Sequence, residues 1–357
     1  MRLSTSNSEK TPARNRDQWL LTLVLLGFLV LATEIYWRRG DFLTNVVDGR
    51  VLWSMHRDDV YGDNKLVVLG GSRAQIGIDL AKLATSFPDH DIVQLSLVRV
   101  TPYAILKDLA SDPDFAGTII CSMTAPWLLP RNRGDTSQWV RYYREEYPRS
   151  RTWQIAFNRT VASYLQDNLV ILAPELRLAA LFENDLDPSS SYFHMKISRA
   201  RPTYYRTRMS TGRLNYLRRR RMERSAKDTR ATLRARRQSF RRAVSGDLRQ
   251  RNRALQERGG RLIMLRMPTS GPRWPYDEEM FPRRQFWNTI QKTSGVETVH
   301  FKDYSGLSGF DCPDYSHLDA HDIGRFTSNL GRILKGIMAS NLPSPGASTG
   351  KKVAGDR

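Results

Sequence analysis

The spacing of the short apolar runs constrains this chain more than any other feature. Lys65-Leu66-Val67-Val68-Leu69, Asp91-Ile92-Val93-Gln94-Leu95 and Gly117-Thr118-Ile119-Ile120-Cys121 read as strands, separated by stretches too long for a hairpin. The intervening Ile76–Ala84 segment places apolar residues at helical spacing, and Pro102–Leu109 opens a second helix with Thr101 as its expected N-cap. Strand and helix in alternation predict right-handed crossovers and a parallel sheet covered on both faces, a three-layer α/β fold. The alternation resumes after Gly259-Gly260 with a strand at Arg261–Arg266, a last strand at Thr298–Phe301 and a helix from Ala320 to Met338.

Two other regions depart from that pattern. From Trp19 to Trp37 the chain is apolar apart from Thr22, Thr33 and Glu34, with Tyr and Trp at its ends where headgroups would lie. It is read as a single transmembrane helix anchoring the chain in the inner or plasma membrane, with the bulk extracytoplasmic. A cleavable signal ending near Val30-Leu31-Ala32 is the competing reading. The middle of the chain is read as a helical insertion: Asp167–Phe182 is rich in Leu and Ala, and Leu233, Phe240, Val244, Leu248 and Leu255 form one apolar stripe. The expected organisation is an N-terminal tail (1–18), an anchor (19–37), a connector (38–62), an α/β first half (63–124), a basic helical insertion (125–258), an α/β second half (259–338) and a disordered tail (339–357).

Ligands of open α/β sheets gather beyond the carboxyl ends of the strands. After the first strand comes Gly70-Gly71-Ser72-Arg73, a tight turn that presents the Ser72 hydroxyl at the start of a helix. A plain turn or a phosphate-binding nest is the simpler reading of that motif alone. Before the last helix comes Asp311-Cys312-Pro313-Asp314-Tyr315-Ser316-His317-Leu318, in which Asp314 is spaced to hold the His317 ring and fix its tautomer. His317 and His321 also have the spacing of two metal ligands on a helix, but Leu318 follows where a metalloprotease motif carries Glu, so no metal and no cofactor is expected. Cys121 and Cys312, the two cysteines of the chain, fall on the same rim of the sheet and allow either one disulfide or two buried thiols.

Taken together, Gly70-Gly71-Ser72-Arg73-Ala74 and Asp314-Tyr315-Ser316-His317-Leu318 resemble the first and last blocks of the SGNH/GDSL hydrolase superfamily. The resemblance implies a flavodoxin-like parallel sheet, Ser72 as nucleophile, His317 as general base and acid, and Asp314 as its orienting carboxylate. It also implies oxyanion donors at a glycine after the second strand and an asparagine after the third. This chain has Arg99 near the first place and Ser122 and Thr124 near the second, so these three are the oxyanion candidates. The implied activity is that of an esterase or O-acyltransferase on a cell-envelope polysaccharide or lipid; a site decayed into a glycan-binding or scaffold surface is the alternative.

Charge then locates the expected partner. The chain of 357 residues carries 56 Lys plus Arg against 36 Asp plus Glu, a net of +20. Of these, 23 basic and 4 acidic residues lie between Lys196 and Arg261, which leaves the remainder nearly balanced at 33 against 32. Arg dominates Lys there, and its planar fork suits carboxylate, sulfate and phosphate. Arg218-Arg219-Arg220-Arg221 is accordingly the expected anion-binding surface, for acidic polysaccharide or lipid headgroups, with a merely solvated helical face as the plain alternative. A nucleic-acid partner is disfavoured, because no RNP, KH or zinc-finger pattern accompanies the arginines.

Overall fold

The computed structural model describes residues 12–129, 137–176, 191–226 and 233–340. Five strands, β1 (Lys65–Gly70), β2 (Asp91–Gln94), β3 (Thr118–Ser122), β4 (Arg261–Arg266) and β5 (Glu297–His300), form one parallel sheet in the order β2-β1-β3-β4-β5. The chain winds outward from β1 in one direction and then in the other, which leaves a topological switch point between β1 and β3. Val68 pairs with Gln94 on one side and with Ile120 on the other, so the ends of the three strands that carry Gly70, Gln94 and Ser122 come together.

Side chains alternate across this sheet and are buried on both faces, which is why the strands read as continuous apolar runs. Leu66, Val68, Ile120, Ile263 and Leu265 pack under α3 (Ser72–Gly77), α4 (Leu80–Ser86) and the long C-terminal helix. Val67, Leu69, Ile119, Cys121, Leu262 and Met264 pack on the opposite face, against α5 (Tyr103–Ser111) and Trp53 of α2 (Arg50–Asp58). The Thr101 N-cap does not form. Pro102 occupies the cap position of α5 without a side-chain bond, and Thr101 is buried instead, since proline presets the backbone of the helix start by itself.

The middle of the chain divides into parts with different duties. Phe240, Val244, Leu248 and Leu255 of the predicted stripe are fully buried on the α5 face of the sheet, and the side chain of Leu233 lies outside the described residues. This run therefore serves as the crossover layer that a parallel β3-to-β4 connection requires. The expected helix over Asp167–Phe182 is not found where it is described: α6 (Trp153–Asn168) ends at Asn168 and gives way to short 3-10 turns at Val170–Leu172 and Pro174–Leu176, while 177–182 lie outside the described residues. Pro174 keeps Ala173 extended (φ −61°, ψ 137°), which separates the two turns. Residues Ser191 to Tyr204 are not helical either; Phe193 and Thr203 form an antiparallel bridge, and a single helical turn follows at Tyr205–Arg208. Next come α7 (Thr211–Ala226), α8 (Leu233–Arg242) and α9 (Arg249–Gln256), then α10 (Arg273–Met280), α11 (Trp287–Ser294) and α12 (Ala320–Ser340). The predicted disordered tail from 341 onward lies outside the described residues.

Helix α1 (Pro12–Arg39) begins earlier than the predicted anchor and is long and apolar enough to cross a membrane. Its side chains from Trp19 to Leu31 are exposed to the surroundings rather than packed on the domain. Glu34, the one acid in the apolar run, is buried and has a specific use: its carboxylate accepts from the backbone N–H groups of Val170 (2.9 Å) and Ile171 (3.0 Å) and from Arg38 Nε (2.7 Å).

Candidate functional site

Ser72, His317 and Asp314 come from opposite ends of the chain and meet beyond the carboxyl edge of β1. Ser72 Oγ lies 2.7 Å from His317 Nε2, and His317 Nδ1 lies 2.9 Å from Asp314 Oδ2. With Nδ1–H donating to the carboxylate, Nε2 is left to accept the serine proton. Asp314 is fully buried, and its Oδ1 accepts from the N–H groups of Ser316 (3.0 Å) and His317 (2.8 Å). Burial works against its charge, but His317, Arg221 and these amides outweigh burial and hold the carboxyl well below the usual range. Burial also lowers the His317 pKa; Asp314 opposes that effect, while Arg221 and Arg73 reinforce it. A neutral imidazole beside a permanent carboxylate is the resting state of a general base at neutral pH.

The two glycines before Ser72 serve a purpose other than the expected one. Neither has a positive φ. A Cβ on Gly70 would lie 2.7 Å from Ala74 Cβ and 3.0 Å from Ser122 Cβ, and one on Gly71 would lie 2.5 Å from the Trp127 ring. Glycine is needed here for close approach, letting β3 and Trp127 come up against the turn that carries Ser72. Left-handed backbone appears instead at Tyr315 (φ 67), between Asp314 and the two residues whose amides bond it, and at Arg99 (φ 68). Arg99 stands where the resemblance leads one to expect glycine, so the backbone there has the conformation glycine favours, held by a residue that pays a steric cost for it.

Ser72 opens onto two clefts. One, of about 320 Å³, is bounded by Thr124, Pro126, Trp127, Arg73, Arg273 and Tyr276. The other, of about 360 Å³, is bounded by Arg99, Tyr192, Arg201, Tyr205, Arg220 and Arg221, with no acid among the described residues that line it. Of the oxyanion candidates, Thr124 and Arg99 therefore reach the clefts, one on each side. Ser122 reaches neither; it pairs with Gly70 in the sheet and is buried there. At the start of α3 the N–H groups of Ala74 (3.1 Å) and Gln75 (3.2 Å) turn back to the Gly71 carbonyl, and those of Ser72 and Arg73 precede any intrahelical partner.

The arginine quartet of α7 is divided in its duties. Arg218 donates to the Pro313 carbonyl (2.7 Å) and lies over the Tyr315 ring, Arg220 donates to the Tyr216 hydroxyl (3.3 Å), and Arg221 is ion-paired to Asp314. Thus the quartet is not simply a face offered to an anionic polymer, because two of its members clamp the loop that holds His317. Tyr205 stacks on the His317 ring at 6.3 Å and 21°. Sequence reasoning passed over Tyr205, Arg221 as a partner of Asp314, and Arg199. Arg199 is fully buried, bonds both Asp48 oxygens (2.8 and 2.9 Å) and the Gln94 carbonyl (2.7 Å), and through Gln75 fastens the middle segment to α3. The available signal was an arginine excess with few local acids, which demands distant partners.

Cys121 and Cys312 are both free and buried, and burial pushes the Cys312 thiol up to about 12, so neither is poised as a nucleophile. His321 pairs with Asp319 (2.6 Å), and among the described residues no group of His, Cys, Asp and Glu is arranged to hold a metal ion. No protein family, curated protein or solved structure matches the chain.

Proposed function

We propose that this chain is a membrane-anchored, SGNH-like serine esterase or O-acyltransferase acting on an anionic cell-envelope polysaccharide or lipid. The observation that carries this reading is the continuous relay from Ser72 Oγ through His317 to the buried Asp314 carboxylate, at the switch point of a parallel sheet. Ser72 Oγ attacks the ester carbonyl as its proton passes to His317 Nε2. The tetrahedral intermediate collapses, the alcohol leaves with the proton from Nε2, and an acyl-Ser72 remains. A water or sugar hydroxyl then attacks the acyl carbon, gives its proton to Nε2, and the collapse returns that proton to Ser72. Asp314 stays ionised throughout and stabilises the imidazolium of each step. In this reading the oxyanion is received from one cleft by the Ser72 N–H and Thr124, in place of the asparagine of the SGNH superfamily.

Charge supports an anionic substrate. Burial, then Arg266, opposes the charge of Arg73 on the floor of the first cleft, while Asp277 supports it; a cation so placed gains most from a bound anion. Position supports a substrate at the envelope. One short turn joins the site to the anchor: Tyr205 stacks on His317, and three residues on Arg208 bonds the Asp41 carbonyl and pairs with its carboxylate (3.5 Å) just beyond α1. The test is turnover of an activated acetyl ester by the full chain in detergent, with and without an acidic polysaccharide as acceptor. Turnover by wild type and none by Ser72→Ala is expected. Equal turnover by the two proteins, both folded, would refute the reading.

A further inference from the structure

Helix α6 is built inside out. Over Trp153–Asn168, the residues that face the domain are polar apart from Ala156 and Ala162: Arg159 donates to the Val47 carbonyl, Gln166 Oε1 accepts from the Val47 N–H (3.1 Å), Ser163 is fully buried, and Asp167 accepts from Ile197 N–H (3.2 Å) and pairs with His194 (3.0 Å). The outward side carries Trp153, Phe157, Val161, Tyr164 and Leu165, which fall within an arc of about 120° at 3.6 residues per turn. Trp153 is 74 % exposed, Phe157 59 % and Tyr164 61 %. A surface helix facing water turns its apolar side inward, so this one is arranged for an apolar medium on its outer side.

Its attachment says which medium. The Asn168 carbonyl at the end of α6 accepts from Arg38 Nη2 (2.7 Å), and the next turn donates two N–H groups to Glu34, both in the last turns of the membrane-length helix α1. Val170, Ala173 and Leu176 then pack with Phe42 against Trp37. The end of α6 is thereby held at the level of Tyr36 and Trp37, where the spanning run gives way to headgroups. No charged residue falls within the outward arc, while Arg149 and Arg151, the latter 3.3 Å from Asp58, are exposed just ahead of Trp153, a distribution suited to acyl chains below and anionic headgroups beside them.

We infer that the outward face of α6 binds the lipid surface, lying in the headgroup region beside the exit of α1 and seating the domain against the bilayer. The anchor and α6 together then make two membrane contacts joined by the Glu34 bonds, and these fix the domain's orientation in a way that a single spanning helix cannot.

The test uses the full chain in nanodiscs of phosphatidylcholine and phosphatidylglycerol, with a nitroxide on Phe157→Cys or Tyr164→Cys. Leu26→Cys on α1 and Asp89→Cys on an exposed loop serve as the lipid and water references, and the unsubstituted chain, whose two thiols are buried, as the blank. Collision with oxygen against a water-soluble nickel chelate is measured for each. The oxygen preference at 157 and 164 is expected to shift away from the Asp89 value toward that at Leu26. Water-like values at both positions while Leu26 remains lipid-like would overturn the inference without touching the anchor. Dipolar broadening between labels on two chains would overturn it in favour of a second copy, and water-like values at Leu26 as well would remove the membrane altogether.

Discussion

The sheet body and the middle segment are stabilised by opposite means. In the sheet, Val67, Leu69, Ile119 and Met264 on one face and Leu66, Val68, Ile120 and Leu265 on the other are buried in apolar cores, and burial area does the work. Among the described residues between 153 and 226, the inward contacts are largely polar: Arg199 on Asp48, Arg221 on Asp314, Arg206 on Asp322, Asp167 on His194. The apolar side chains of α6 face outward instead. The lesson is that the basic middle segment is not one uniformly solvated face. Arg199, Arg206 and Arg221 hold a polar layer onto an apolar scaffold and onto its candidate nucleophile, while the net charge of +20 stays uncompensated within the chain.

The largest effect expected from that contrast is on chemistry. Asp314→Asn keeps the size of the side chain but loses the charge and favours the wrong His317 tautomer, so ester turnover should fall on the order of 10³ to 10⁴-fold with the thermal midpoint far less affected. Unchanged turnover would remove Asp314 from the relay. Next in size is Arg199→Met, which leaves the largely buried Asp48 with Gln75 but without its cation, and the Gln94 and Ser96 carbonyls without their donor; it should cost about 3 kcal/mol in chemical denaturation. A Val67→Ala change in the sheet should cost a comparable few kcal/mol through its cavity, but only the Arg199 variant should also loosen α3 in hydrogen exchange.

A smaller effect concerns pH. Arg221 is one of the groups holding the His317 pKa down, so Arg221→Met should move the acid limb of the rate profile to higher pH, because the imidazole is then protonated more easily. An unmoved limb would show that Arg221 acts on the loop alone. Stability has its own window. Asp112 is held down at about 2: burial works against its charge, but its bonds with Tyr61, Arg57 and Arg144 prevail. A depressed carboxyl contributes stability above its unfolded pKa of about 3.9 and loses it as pH falls toward the folded value, so acid unfolding should set in below about pH 4.

The strands β1, β3 and β4 were legible because their side chains are buried on both faces and so appear as nearly unbroken apolar runs, whereas the edge strands β2 and β5 open on exposed or half-buried polar residues. Ser72, Asp314 and His317 were legible because they sit where strands and the last helix begin or end, and local pattern marks those places. Arg221 and Asp314 are far apart in sequence, as are Arg199 and Asp48, and neither residue of either pair carries a periodicity that names its partner. Glu34 looked like an imperfection in an apolar run, yet it caps a turn from the middle of the chain. The glycine pair was correctly located with the wrong cause, since close packing by Trp127 and Ser122 leaves no mark at Gly70 or Gly71 themselves. The inversion of α6 was present as polar residues at 159, 163, 166 and 167, a helical stripe visible only if one asks which face is polar before assuming that the apolar face is buried.

The central claim, that Ser72 is a nucleophile activated by His317, is tested most directly by treating the folded full chain with a fluorophosphonate and reading the adduct by intact and peptide mass. A single adduct on the Ser72 peptide, lost in Ser72→Ala and strongly slowed in His317→Ala, is predicted. Folded wild-type protein that takes no adduct, or takes it on another residue, would contradict the account.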